Sequence, residues 1–205
     1  AGACTVVISA PFIFMAMPAK LRYKSDVYKQ GVVKGLENPE DKQYTKSAFR
    51  RNPGEATIWI RRENIPNVII SGNGEIDGNG ISYMGMELED SYELKPFNTL
   101  DPRPHVLTLI GGKNIRIKDI KIGNSAYWTV HLVGCNDVVI SGITLLNNVK
   151  VRNSDGIDID HSTDVRISDC YIESGDDCVC LKNRREYEEF GACENITVTN
   201  CTMTS

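Results

Sequence analysis

Three aspartates fall in two short turn-forming segments, Asn153-Ser-Asp155-Gly and Gly175-Asp176-Asp177-Cys. Carboxyls held a few ångströms apart repel one another when ionised, so at least one of them is pushed to keep its proton. That division is useful chemistry. A protonated carboxyl can give its proton to a leaving oxygen while ionised partners activate a water, as in glycoside hydrolysis. An acid and a base that flank a water in this way stand about 6.5–9.5 Å apart. The same residues also serve plainer ends, because Asp-Gly and Gly-Asp are common turn dipeptides. With Asp158, Asp160 and Asp164 nearby in the chain, the cluster also suits a hard cation such as calcium. The choice depends on whether the chain brings the two segments together.

A repeat does so. Five segments superpose: Asn67-Val-Ile-Ile-Ser-Gly, Asn114-Ile-Arg-Ile-Lys-Asp, Asp137-Val-Val-Ile-Ser-Gly, Asp164-Val-Arg-Ile-Ser-Asp and Asn195-Ile-Thr-Val-Thr-Asn. Each opens on Asn or Asp, and each places Ile70, Ile117, Ile140, Ile167 or Val198 three residues later. In the last four a further apolar position follows, at Ile120, Ile143, Cys170 and Cys201. Alternation and β-branched content make these runs strands, and Gly, Asn, Asp and Ser between them suit tight bends. The starts lie 47, 23, 27 and 31 residues apart, so the last four fit one solenoid coil each and the first gap holds an insertion. The expected fold is all-β, a right-handed parallel β-helix over residues 1–205 as one domain, with irregular insertions near 20–56 and 79–104. Aligning Val130-His-Leu132, Ile157-Asp-Ile159 and Val179-Cys-Leu181 puts Trp128, Asp155 and Asp177 at one position on three successive coils. Strict alternation would point Asp155 the same way as Ile157, so a bend is required before the strand.

Composition narrows the function classes. The chain has 205 residues, with 23 basic against 27 acidic side chains, and this mildly acidic balance argues against nucleic acid as a partner. The longest uncharged apolar run, from Ala10 to Ala19, is too short to cross a bilayer and contains two prolines, so no membrane association is expected. No leader is expected before the β-like opening Ala1-Gly-Ala-Cys-Thr-Val-Val-Ile-Ser. Seven cysteines, an odd number with no CxxC pair, read mostly as core thiols, with Cys170 stacked on Cys201.

The two aspartate segments resemble the NTDG and GDD blocks of glycoside hydrolase family 28, the polygalacturonases and related pectin hydrolases, with 21 residues from Asp155 to Asp176. Similar too are Ile69-Ile-Ser-Gly-Asn-Gly-Glu-Ile-Asp-Gly-Asn-Gly80, Arg103-Pro104 and Asn124-Ser-Ala-Tyr-Trp-Thr-Val-His131. The resemblance implies a secreted or periplasmic enzyme that cleaves pectic polysaccharide with inversion and without a cofactor. It implies Asp176 as general acid, with Asp155 and Asp177 as the pair that activates water. The family's GHG and RIK blocks have no counterpart before Ser205, and its β-helix is longer. The chain therefore reads as the middle of an enzyme, truncated at one or both ends.

Asn153, His131, Lys182 and Arg184 are candidate substrate contacts. The two cations are able to meet an acidic sugar, and His131, one coil before Asp158, is able to line a sugar subsite or to be hydrogen-bonded at the surface. Tyr127 and Trp128 either stack on a pyranose ring or pack. The family often bridges the cysteine after the two aspartates to one downstream, which implies a Cys178–Cys193 disulfide. Asn195-Ile-Thr and Asn200-Cys-Thr match the glycosylation pattern, although Asn at solenoid turns explains both. No metal site and a monomer are expected. Two other readings stay open: a non-catalytic carbohydrate-binding or structural β-helix whose aspartates make turns or hold calcium, and a calcium-dependent lyase.

Overall fold

The computed structural model describes residues 60–96 and 103–205 in full. Of residues 1–59 it describes the backbone of the strands Cys4–Ser9, Phe12–Met15, Val32–Lys34 and Thr45–Lys46 and the start of Thr57–Glu63. The rest of the expected 20–56 insertion lies outside the described residues.

Each coil consists of three strands that run around the solenoid. The coil at Val130–Val133 continues through Asn136–Ser141 and Thr144–Leu146. The next runs through Ile157–Asp160, Thr163–Ser168 and Tyr171–Glu173, and the next through Val179–Lys182, Glu194–Thr199 and Thr202–Thr204. Corresponding strands pair in parallel, in three sheets. The result is the expected right-handed parallel β-helix. The register is the one that the repeat predicts. Ile70, Ile117, Ile140, Ile167 and Val198 pair in sequence up one sheet. Trp128, Asp155 and Asp177 share a column, since Thr129 N–H donates to Asp155 O and Gly156 N–H to Asp177 O, both at 2.9 Å.

The core is a stack of apolar rungs. Ile115, Ile117, Val130, Leu132, Val138, Ile140, Leu145, Ile157 and Ile159 are all fully buried in one cluster. Each such side chain contributes about 1.5–3 kcal/mol by leaving water. Cys170 is buried in this core and Cys201 packs against it.

The repeat's opening Asn or Asp has a backbone cause. Asn67, Asn114, Asp137, Asp164 and Asn195 all have φ between 54° and 58°, a left-handed conformation that short polar residues tolerate better than others. Their side chains also pair up the column, with Asn114 Nδ2 donating to Asn67 Oδ1 at 2.6 Å and Asn195 Nδ2 to Asp164 Oδ1 at 3.0 Å. Asn200, also left-handed, donates to Asp169 Oδ1 at 2.5 Å. The solenoid thus uses both asparagines of the glycosylation-like triplets.

Between Asp77 and Pro104 the chain makes a 3-10 turn, Gly80–Tyr83, and an antiparallel pair, Met84–Glu87 with Leu94–Pro96. Lys150 of the loop before Asp155 forms an ion pair with Glu87 and accepts a backbone hydrogen bond from Leu94. No helix among the described residues is long and apolar enough to cross a membrane.

Close stacking leaves no room at Gly123, where a Cβ would lie 2.0 Å from the Leu146 carbonyl oxygen on the next coil. Gly123→Ala must push two backbones apart and is expected to cost at least about 1–3 kcal/mol, read as a lower midpoint of urea unfolding. An unchanged midpoint would contradict the stacking of these two coils.

Candidate active site

Asp155 is set by the turn that precedes its strand. Asn147, buried, receives the Ser125 N–H at 3.0 Å and donates to Thr129 Oγ1 at 2.7 Å and to Ser154 O at 2.8 Å. Ser154 Oγ donates to Val151 O at 2.6 Å and accepts the Gly175 N–H at 3.0 Å. One serine therefore ties the Asp155 turn to the Asp176 turn. The bend demanded by the alternation rule is at Gly156, where a Cβ would lie 2.4 Å from Cys178 O.

The two turns place three carboxyls at one edge of the sheet. Asp155 is 2% exposed, whereas Asp176 and Asp177 face solvent. Asp155 Oδ2 accepts from Lys182 Nζ at 3.1 Å. Burial pushes the Asp155 carboxyl above the usual carboxylate range; the Lys182 charge opposes this and nearby Asp176 adds to it. Asp176 Oδ2 accepts from Asn153 Nδ2 at 3.1 Å, and its Oδ1 from the Asp177 N–H at 3.1 Å. The amide of Asn153 is oriented from the other side, since Arg103 donates to Asn153 Oδ1 at 3.2 Å, to Arg152 O at 2.8 Å and to Ala126 O at 3.1 Å. The sequence assigns Arg103 no role beyond its place in the Arg103-Pro104 match. The structure places it, buried, behind the candidate acid.

The other candidates fall differently. Lys182 lies 3.1 Å from both Asp155 Oδ2 and Asp158 Oδ1, with its ammonium 4.6 Å from the Trp128 ring centre. Burial alone would lower the Lys182 pKa, but the two carboxyls outweigh it and raise it. Arg184 is half-buried, its guanidinium 5.1 Å over the same indole, and its backbone N–H donates to Asp160 Oδ1 at 3.1 Å. His131 is not at the surface. It is fully buried among His105, Trp128 and Tyr187, with Nε2 3.2 Å from Asp160 Oδ2. Tyr127 and Trp128 are packed, at 5% and 4% exposure.

Asp158, Asp160 and Asp164 do not converge. Asp158 faces Lys182, Asp160 faces His131 and Arg184, and Asp164 holds Asn136 and Asn195 at a corner. Among the described residues no three acidic, histidine or cysteine side chains group as a metal would require. The implied Cys178–Cys193 disulfide is not formed: both are free thiols, Cys178 Sγ directed to Thr204 O and Cys193 Sγ to Ile159 O and Lys182 O.

Sequence reasoning missed the burial of Asp158 and Asp160. Both sit on the outward face of Ile157-Asp-Ile-Asp160, a face that alternation assigns to solvent but that Trp128, Tyr187 and Phe190 help to cover. It also missed His161. This residue takes the left-handed corner (φ 50°) that Gly111 and Gly134 fill on the two preceding coils. Its Nδ1 bonds to Gly191 O and its Nε2 to Arg184 O at 2.8 Å, which clamps the segment carrying Tyr187.

The chain is similar to known proteins in sequence and in fold. The sequence model of the glycosyl hydrolases family 28 matches residues 36–205. A probable polygalacturonase of Vitis vinifera is 40% identical over 139 residues, which is 67% of this chain and 26% of that protein. An exopolygalacturonase of Cochliobolus carbonum is 32% identical over 57% of this chain and 25% of that protein. The chain thus spans about a quarter of the length of these relatives. In fold it is similar to the polygalacturonase of Erwinia carotovora ssp. carotovora, at a TM-score of 0.65 and 22% identity over 84% of this chain and 47% of that one. It is also similar to a hyperthermoactive exopolygalacturonase of Thermotoga maritima, at 0.66 and 21% over 86% and 47%.

The His161 clamp has a definite pH signature. Burial disfavours the imidazolium, but two carbonyl acceptors, Asp160 and Glu189 outweigh it, so the His161 pKa is raised. A raised folded pKa gives stability that is full below the unfolded value, about 6.5, and is lost as pH rises through the folded one. Amide exchange at Tyr187 and Gly191, corrected for intrinsic rates, is expected to quicken over that interval in the native chain and to show no such dependence in His161→Gln.

The family match over residues 36–205 and the 40% identity to a probable polygalacturonase agree with the two aspartate turns tied together by Ser154: the chain belongs to glycosyl hydrolase family 28.

Proposed function

We propose that this chain carries the acid and base carboxylates of a secreted hydrolase that cleaves pectic polysaccharide with inversion. The observation that carries the reading is the convergence of Asp155, Asp176 and Asp177 at one sheet edge, with Asp176 exposed and held by Asn153. The family and the relatives named polygalacturonase support the substrate class.

In this reading Asp176 gives its proton to the glycosidic oxygen as that bond breaks. Asp155 and Asp177 take a proton from the water whose oxygen bonds to the sugar carbon on the opposite face. One proton leaves Asp176 and one is gained by the base pair, so the site resets by exchange with solvent. Arg103 and Asn153 fix where the Asp176 carboxyl points. Lys182 is taken by two carboxyls and Trp128, so it serves the base rather than the sugar. A polymer substrate is met outside the cell, which is why secretion belongs to the proposal.

The test is release of reducing ends from polygalacturonate. Asp176→Asn is expected to lower turnover by about 10²–10⁴-fold with unchanged circular dichroism, while chelator leaves the parent unaffected. Equal rates in parent and variant would sink the assignment of Asp176, and loss on chelation would favour a calcium-dependent lyase.

A further inference from the structure

Behind Asp155 lies a carboxyl that this reaction does not use. Asp158 is completely buried, and its strand neighbour on the preceding coil, His131, directs its Nε2 to Asp160 instead. Apart from the Lys182 ammonium beside Oδ1, neither oxygen of Asp158 meets a hydrogen-bond donor, and Asp155 Oδ1 is buried in the same condition. Yet the two carboxyls are within hydrogen-bonding reach of one another. Two buried acceptor oxygens, Asp158 Oδ2 and Asp155 Oδ1, with no donor between them would be costly. One shared proton removes the conflict.

The charge count agrees. Two ionised carboxyls and one ammonium leave a net negative charge in a closed space, with Asp176 acting on Asp155 from the next turn. One proton leaves a carboxylate beside an ammonium, a paired arrangement. The proton belongs on Asp158, which is the more deeply buried of the two, whereas Asp155 Oδ2 takes the well-directed hydrogen bond from Lys182.

We propose that Asp158 is a protonated, neutral acid at neutral pH that donates its O–H to Asp155, and that Asp158 and Lys182 together hold Asp155 as an oriented carboxylate. Both are positioning residues that act through Asp155. Their bearing on turnover rests on the reading of Asp155 as a water-activating base. Burial, then the neighbouring Asp155, pushes the Asp158 carboxyl well above its usual range, and Lys182 only partly opposes this.

The proposal is tested by spectroscopy that needs no turnover. Infrared spectra of the native chain near pH 7 are expected to contain the carbonyl stretch of one protonated, buried carboxylic acid. That band should vanish in Asp158→Asn, whose amide N–H retains a donor for Asp155. With ¹³C-labelled aspartate, the Asp155 carboxyl should titrate about one pH unit higher in Lys182→Met and return toward the native value in Lys182→Arg. In reducing-end assays the acid limb of kcat/KM should move up by the same unit, a tenfold loss on that side, with KM little changed. Absence of a protonated acid in the native chain, a band that survives Asp158→Asn, or an unmoved Asp155 titration in folded Lys182→Met would each overturn it. If the spectra behave as expected but no glycan is cleaved, the charge arrangement stands and the hydrolase reading fails.

Discussion

Successive coils must lie in register, because a parallel strand finds its backbone partners only on the strands above and below it, about 4.8 Å away. That requirement decides most of what the side chains do. It turns Ile70, Ile117, Ile140 and Ile167 into one apolar column and Asn67, Asn114, Asp137, Asp164 and Asn195 into one polar column at a left-handed corner. It also sets Asp155 and Asp177 at the same place on adjacent coils, so carboxyls that the chain separates by 22 residues become neighbours through the backbone ladder. The candidate site is a by-product of the same stacking that forms the core.

Much of this was legible because a solenoid reports its register in its own sequence. The five repeat starts marked five of the six parallel rungs of their sheet, the sixth, Cys4–Ser9, following Ala3 in place of Asn or Asp, and the strand alignment fixed the Trp128, Asp155 and Asp177 column. The bend at Gly156 was legible as a conflict between that column and strict alternation. Burial on the outward face was not. Ile157-Asp-Ile-Asp160 has the pattern of a strand with one wet side, and nothing local says that Trp128 and the segment around Tyr187 and Phe190 lie over it. For the same reason His131, Lys182 and Arg184 looked available to a sugar. In the fold His131 meets Asp160, Lys182 bridges two carboxyls, and Arg184 lies over Trp128. The disulfide carried over from the family failed on direction, because the two thiols face different carbonyls.

Charge organisation around the site follows from depth. Asp176 and Asp177 stand in solvent, where water screens them, while Asp155 and Asp158 are enclosed and depend on Lys182 for compensation. An indole beneath the ammonium adds a soft negative face. The gradient from wet to dry across one strand edge gives carboxyls of identical chemistry different environments, and environment is what sets a carboxyl's hold on its proton.

The corners differ in the freedom they allow. Between the six-residue and three-residue strands the chain crosses in residues 72–74, 119–120, 142–143, 169–170 and 200–201, an arc of two or three residues. Between the three-residue strand and the strand of the site sheet it uses 78–103, 124–129, 147–156 and 174–178, and after Lys182 it spends 183–193 before the next strand. Among the described coils, large changes of length therefore fall along the two borders of the site sheet. An insertion or deletion there reshapes the walls around the aspartates while every rung of the core keeps its partner. A scaffold of this kind can change what it grips by altering loops of a few residues, with no renegotiation of the apolar stack beneath.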